Sequence, residues 1–240
     1  AAAKAMRDGQ TRYSFVDGIP ELKQAVCQKF KNDNGLIYRP SQISVSTGCK
    51  QILFNAFMAT LNSGDEVIIP APYWVSYPAM VEIAEGTPVV VQCGEEQNFK
   101  MTAAMLEAAI TPSTRWLILN SPSNPTGAVY TRAELLTLSE VLLKHPDVLV
   151  MTDDIYEHLV YGDTEFCTLA QVEPQLMERT LTCNGMSKAY CMTGWRIGFA
   201  GGPEPLIRAM AKLQGQSTFH PATISQHAAL AGLNGDRDFL

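Results

Sequence analysis

Positive charge is scarce in this chain. Its 240 residues carry 18 Lys and Arg against 24 Asp and Glu, a formal net charge of −6, and no basic cluster interrupts that balance. Nucleic acid is therefore excluded as a general partner. Histidine is scarce too: the four are scattered, and none stands at metal-ligand spacing from a cysteine. The six cysteines (Cys27, Cys49, Cys93, Cys167, Cys183 and Cys191) include no C-x-x-C pair. Zinc is not expected, and thiols scattered this way fit a reducing cytoplasm better than a disulfide framework. Long apolar runs are missing, so neither a signal peptide nor a membrane span is expected at Ala1–Arg7. No Gly-x-x-x-x-Gly-Lys-Ser/Thr loop occurs, which removes the phosphate cradle of common nucleotide hydrolases.

What remains is an ordinary globular composition, 46% hydrophobic and 18% charged. Short apolar runs suited to buried strands fall at Ile43–Ser46, Glu66–Ile69, Thr87–Cys93, Arg115–Leu119, Val148–Thr152, Thr180–Cys183 and Ile197–Ala200. Helical patterns lie between them. Pro20 to Lys31 opens on proline and places Leu22, Val26 and Phe30 on one face. Cys49 to Asn62 and Val75 to Glu85 are expected to stop at Gly64 and Gly86. Thr131-Arg132-Ala133-Glu134 has capping-box spacing and opens a helix through Leu143. Alternation of this kind predicts an α/β fold in three layers: a mainly parallel sheet with helices on both faces. One domain over 1–240 is expected, and both ends read as though the chain continues.

Ligands of such sheets bind beyond the carboxyl ends of the strands. There the chain places Thr47-Gly48-Cys49-Lys50, a glycine turn opening a helix, whose N–H groups suit an anion. Next comes Pro72-Tyr73-Trp74-Val75-Ser76-Tyr77, whose indole can stack on a flat ring or simply pack in the core. Asn120-Ser121-Pro122-Ser123-Asn124-Pro125-Thr126-Gly127 is a stiff loop able to aim the Asn124 amide. Asp153-Asp154-Ile155-Tyr156 puts a carboxylate at a buried strand end, where it needs a cation or a metal. Magnesium would suit a nucleotide hydrolase, but the phosphate loop is lacking. Ser187-Lys188 is followed eight residues later by Arg196. Such a pair alone would be ordinary surface charge. With these partners, a lysine that can form a Schiff base and an arginine that can hold a phosphate describe pyridoxal phosphate.

In order and spacing, these motifs resemble the class I aminotransferases of fold type I, in particular the bacterial aspartate aminotransferases. Tyr13 to Leu22 (YSFVDGIPEL) and Met192-Thr193-Gly194-Trp195-Arg196 match as well. The resemblance implies the large, cofactor-binding domain of such an enzyme, with the small domain and its substrate-carboxylate arginine outside the chain; Arg208 and Arg237 match no motif for that role. It implies that Lys188 is the Schiff-base lysine and proton shuttle, and that Asp153 keeps the ring nitrogen protonated. Tyr156 and Asn124 would hold the ring oxygen, and Trp74 would stack on the ring. Gly48, Cys49, Lys50 and Arg196 would hold the phosphate, joined by Tyr13 from the second subunit of a homodimer. One position departs: Gly185 stands where many relatives place a phosphate-binding serine. The implied activity transfers an amino group from an L-amino acid, aspartate or an aromatic one, to 2-oxoglutarate. A lyase or synthase of the same fold, or an aminotransferase-like domain of a regulator, would share the cofactor residues.

Overall fold

The computed structural model describes residues 1–240. In chain order the elements are α1 (Ala2–Arg7), α2 (Pro20–Asn34), β1 (Ile43–Thr47), α3 (Cys49–Thr60), β2 (Glu66–Ala71), α4 (Ser76–Ile83), β3 (Thr87–Gln92) and α5 (Ala103–Ala109). They continue as β4 (Thr114–Asn120), α6 (Arg132–Lys144), β5 (Leu149–Asp153), α7 (Leu169–Val172), β6 (Thr180–Gly185), β7 (Ile197–Gly201), α8 (Glu204–Gly215) and α9 (Thr223–Asn234). The residues form two compact units, one of Ala1–Ala59 with Cys183–Leu240 and one of Thr60–Thr182.

In the Thr60–Thr182 unit the strand order is β5-β4-β2-β3, and every registered pair is parallel. Strand β4 buries Trp116, Leu117, Ile118 and Leu119, and the core continues through Ile68, Leu138, Leu142 and Val150. Burying such apolar side chains is worth about 1.5–3 kcal/mol each. Trp116 keeps its one polar atom satisfied by donating from Nε1 to Thr60 Oγ1 at 2.9 Å. β3 departs from the uniformly buried pattern expected of it, with Thr87 and Gln92 exposed. It lies last in the order and carries Pro88, which lacks a ladder donor and is tolerated at an edge. Thr131 and Glu134 form the expected capping box of α6: Thr131 Oγ1 accepts from the Glu134 N–H, and the Glu134 carboxylate accepts from the Thr131 N–H at 2.8 Å.

Helix α4 ends at Ile83, and the left-handed residue after it is Glu85 (φ 63°), not Gly86. Gly86 is glycine for a different reason. A Cβ there would press on Leu61 Cδ1 at 3.0 Å and Val81 Cγ1 at 3.1 Å. Helix α3 likewise stops at Thr60, before Asn62.

In the other unit β1 runs antiparallel to β7, with Ser46 opposite Gly198 and Thr47 opposite Ile197. Helix α2 begins at Pro20 and closes on Gly35 at φ 66°. Its Phe30 meets Tyr38 and Phe199 edge to face at 5.3 and 5.8 Å. Two buried glutamines organise the segment that carries Tyr13. Gln214 donates to Val16 O at 2.7 Å and Val45 O at 3.0 Å, and its Oε1 accepts from Ser46 Oγ and from Asn55 Nδ2. Gln226 accepts from the Ile19 N–H at 2.7 Å and donates to Ser14 Oγ at 3.1 Å and Pro221 O at 2.8 Å. Each buried polar atom so engaged avoids an unmade-bond cost of about 1–3 kcal/mol.

Candidate active site

Strand register sets the first cluster. Asn120, the last residue of β4, lies opposite Asp153, the last residue of β5. Asn120 Nδ2 donates to the Asp153 carbonyl at 2.7 Å, while its Oδ1 accepts from the Asn124 N–H at 2.8 Å. One amide therefore ties the Asp153 strand end to the Asn124 loop. That loop closes on itself through Gly127 N–H to Ser123 O at 2.8 Å and Ser123 N–H to Ala128 O at 2.9 Å. The Asp153 carboxylate is 4% exposed and accepts from the phenol of Tyr77, itself 2% exposed, at 2.7 Å. The Tyr77 ring meets Trp74 edge to face at 5.5 Å and 88°. Asp154 is buried too, and accepts instead from its neighbour Thr152 Oγ1 at 3.3 Å. Tyr156 follows in the turn after β5, half-buried.

The environment beside this cluster holds charges by burial and pairing. Tyr130 Oη accepts from the Met101 N–H at 2.8 Å, and burial raises that phenol's pKa, so it stays neutral. Burial pushes Glu134 up, but the Lys100 ammonium at 2.6 Å and the Thr131 donors outweigh it and leave the acid below its ordinary value.

The second cluster lies in the unit containing both termini. Gly48, between β1 and α3, has φ +85°, and a Cβ on it would overlap the Arg196 guanidinium at Nη2. Only a glycine allows that approach and that backbone angle. Arg196 is itself left-handed (φ 55°, ψ 55°), and its Nη1 donates to Thr193 O at 2.9 Å. Gly198 on β7 has the complementary role: a Cβ there would run into the backbone of Gly48 and Cys49. Two glycines thus let the opening of α3, with its N–H groups, lie against the strand that follows Arg196. Cys49 is half-buried and Lys50 exposed. Lys188 lies in the turn between β6 and β7, exposed, and its carbonyl accepts from the Cys191 N–H at 3.0 Å. Tyr13 is 89% exposed, with its ring edge-on to Phe219 at 5.5 Å and to His220 at 5.7 Å.

An arginine fork against a glycine turn and a buried acid braced by a phenol occur at the positions where the sequence motifs stand. A family model described as "Aminotransferase class I and II" matches residues 1–240. The chain belongs to this family. It is 64% identical over 240 residues to the aspartate/prephenate aminotransferase of Cereibacter sphaeroides, covering 100% of this chain and 60% of that protein. The crystal structure of the aspartate aminotransferase from Rhizobium meliloti superposes with a TM-score of 0.98 at 57% identity, covering 99% of this chain and 60% of that one. The aromatic aminotransferase from Pyrococcus horikoshii OT3 gives 0.95 at 39% identity, covering 98% and 63%. The chain thus spans about 60% of the length of these relatives. Its fold is α/β with mainly parallel strands, as the sequence predicts.

Three residues take part in ways that a reading by motif does not give. Asn120 stands in a quoted segment, but its bonds to Asp153 and Asn124 are legible only once β4 and β5 are in register. Tyr77 stands inside a quoted motif, but its bond to a residue 76 positions away is not a sequence signal. Asn184, at the end of β6, is 4% exposed; its Oδ1 accepts from the Gly185 N–H, and its Nδ2 is buried without a hydrogen-bond partner. No disulfide joins the six cysteines, and no helix is long and apolar enough to cross a membrane.

Proposed function

We propose that the protein carrying this chain is a pyridoxal-phosphate-dependent aminotransferase acting on aspartate, and on aromatic amino acids, with 2-oxoglutarate as acceptor. The observation that carries the reading is the buried Asp153 carboxylate at the end of a parallel strand, gripped by Tyr77. A buried acid in that place calls for a cationic partner, and a protonated ring nitrogen is one. The residues fit the group at its other end as well. The Arg196 guanidinium packs where a Cβ on Gly48 would stand, and an arginine fork beside the N–H groups that open α3 suits a phosphate.

Pyridoxal phosphate supplies an aldehyde that takes an amine and a ring that accepts electrons. In this reading Asp153 holds the proton at the ring nitrogen, and Tyr156 and Asn124 donate to the ring oxygen. Trp74 covers the ring face, braced edge-on by Tyr77. The α3 opening (Gly48, Cys49, Lys50) and Arg196 hold the phosphate. Lys188 Nζ would hold the cofactor at rest, and, once displaced by the substrate's amine, would be a neutral amine able to take the proton from the substrate's α-carbon. Tyr13, 89% exposed on a segment clasped by Gln214 and Gln226, is offered to the phosphate of a second copy in a homodimer. Residues 1–240 are then the cofactor-binding part, with the arginine for the substrate α-carboxylate supplied from outside them. Six cysteines without a disulfide among them suit a cytoplasmic enzyme.

The test is turnover of the intact protein with aspartate, phenylalanine and tyrosine as donors. 2-Oxoglutarate and prephenate serve as acceptors, the latter because the name of the Cereibacter sphaeroides relative includes it. Nitrogen from labelled aspartate should appear in glutamate. Release of ammonia without a new amino acid would instead indicate a lyase.

A further inference from the structure

We propose that Tyr77 is a positioning residue for the reaction: its phenol fixes the orientation of the Asp153 carboxylate while its ring sets the Trp74 indole. The inference rests on the reading of Asp153 as the acid facing the cofactor's ring nitrogen. Tyr77 stands in the first turn of α4, three residues after Trp74. That spacing lets one side chain serve both the strand-end acid and the indole. The phenol donates to Asp153 Oδ2 at 2.7 Å, and both residues are almost fully buried. The same ring stands at 88° to Trp74 with centroids 5.5 Å apart. Meanwhile the Asp153 backbone is held separately, through its carbonyl, by Asn120. Strand end and carboxylate are therefore fixed by two different residues. Asn120 sets where the acid is, and Tyr77 sets which way its oxygens point.

Hydrogen bonds to a charged group in a dry environment are strong and directional. Removing the phenol takes away one buried group that directs the carboxylate, and its hold on a facing N–H⁺ loosens. That positive charge lowers the proton affinity of every other nitrogen conjugated with the same ring. Loosening it should therefore raise the pH at which the bound cofactor's visible absorbance changes.

The experiment compares wild-type and Tyr77→Phe forms of the intact protein, loaded with pyridoxal phosphate. Phenylalanine keeps the ring, and with it the contact to Trp74. The pH midpoint of the visible band should rise by about 0.5–1 unit, an attenuated share of the one to two units that a charge-assisted bond represents at the acid itself. kcat should fall roughly tenfold while KM stays within about twofold, the pattern of an interaction that stabilises the transition state more than the ground state. Asp154, Tyr156, Glu157 and His158, which follow Asp153 in sequence, and Tyr73 beside Trp74 are the same in both forms, so their titration cancels in the comparison. In an Asp153→Ala background, Tyr77→Phe should move the midpoint no further. If Tyr77→Phe fails to fold, a fluorinated tyrosine at position 77, altered only in phenol acidity, must still shift the midpoint. A wild-type protein that forms no visible band overturns the reading and this inference together. A normal wild-type band with an unmoved midpoint in the variant, accompanied by a fall in Tm alone, overturns the inference and leaves the reading intact.

Discussion

Replacing Gly48 with alanine should damage phosphate binding more than it damages the fold, and a second glycine provides the control. Gly48 holds φ +85°, and an added Cβ would overlap Arg196 Nη2. Gly64 holds φ +95°, with nothing within 4 Å of an added Cβ. Both alanines meet the same backbone penalty, about 1–2 kcal/mol for an L residue on the left-handed side. In a domain of this size that corresponds to a fall in Tm of roughly 2–8 °C. Only Gly48→Ala also forces the guanidinium away, breaking the Nη1 bond to Thr193 O or turning the fork from its ligand. A charge-assisted bond to phosphate is worth about 1.5–3 kcal/mol, so affinity should fall by roughly tenfold to more than a hundredfold. Thermal melting and calorimetric titration with pyridoxal phosphate measure the two effects separately. The expected outcome is two similar Tm shifts and one large loss of affinity, confined to Gly48→Ala. If both variants bind within about twofold of wild type, Arg196 does not hold the phosphate from the position the structure gives it.

Asp153→Ala should lower kcat far more than Asp154→Ala, because only Asp153 is braced by Tyr77. Loss of a buried ionic partner costs about 3–5 kcal/mol, which expressed at the transition state is a loss of roughly a hundredfold to several thousandfold; a larger defect from Asp154→Ala reverses the assignment. Mixing Tyr13→Phe with Lys188→Ala subunits should restore activity to the extent that subunits exchange, since a heterodimer then has one undamaged site; verified heterodimers no more active than either parent would mean that Tyr13 serves its own chain. Glu134, held below its ordinary value by Lys100 and Thr131 against the opposing effect of burial, contributes stability that is present above its unfolded value near 4.5 and lost as pH falls through the folded one. Glu134→Gln should therefore flatten the decline of Tm below about pH 4.5; its side chain is 40% exposed, so the difference is small, and an unchanged acid limb would remove the Lys100 pair from the account.

Much of the fold was legible because buried strands announce themselves as apolar runs. All seven runs became strands, with ends displaced by only a residue or two, as at β5, read as Val148–Thr152 and found at Leu149–Asp153. The antiparallel pairing of β1 with β7 was not legible, since pairing direction depends on where the connecting chain returns. Gly86 misled because a glycine after a helix suggests a left-handed stop, whereas this one is small to admit Leu61 and Val81. Gln214 and Gln226 look like surface residues in sequence; only the folded chain shows how many backbone groups each satisfies.

At the site, the residue types were readable and their partners were not. A strand-end acid with no phosphate loop upstream indicates a need for a cation. That Asp153 rather than Asp154 meets Tyr77 follows from the alternation of β5, which sends neighbouring side chains to opposite faces. Gly48 was read as an anion turn, and the structure adds the reason it must be glycine, the Arg196 guanidinium against its Cα.

Borohydride trapping tests the central claim most directly. The intact protein mixed with pyridoxal phosphate should turn yellow, and reduction followed by peptide mapping should place the cofactor's mass on Lys188 alone. A stable adduct on Lys50 or Lys212, or none on any lysine, would contradict the account.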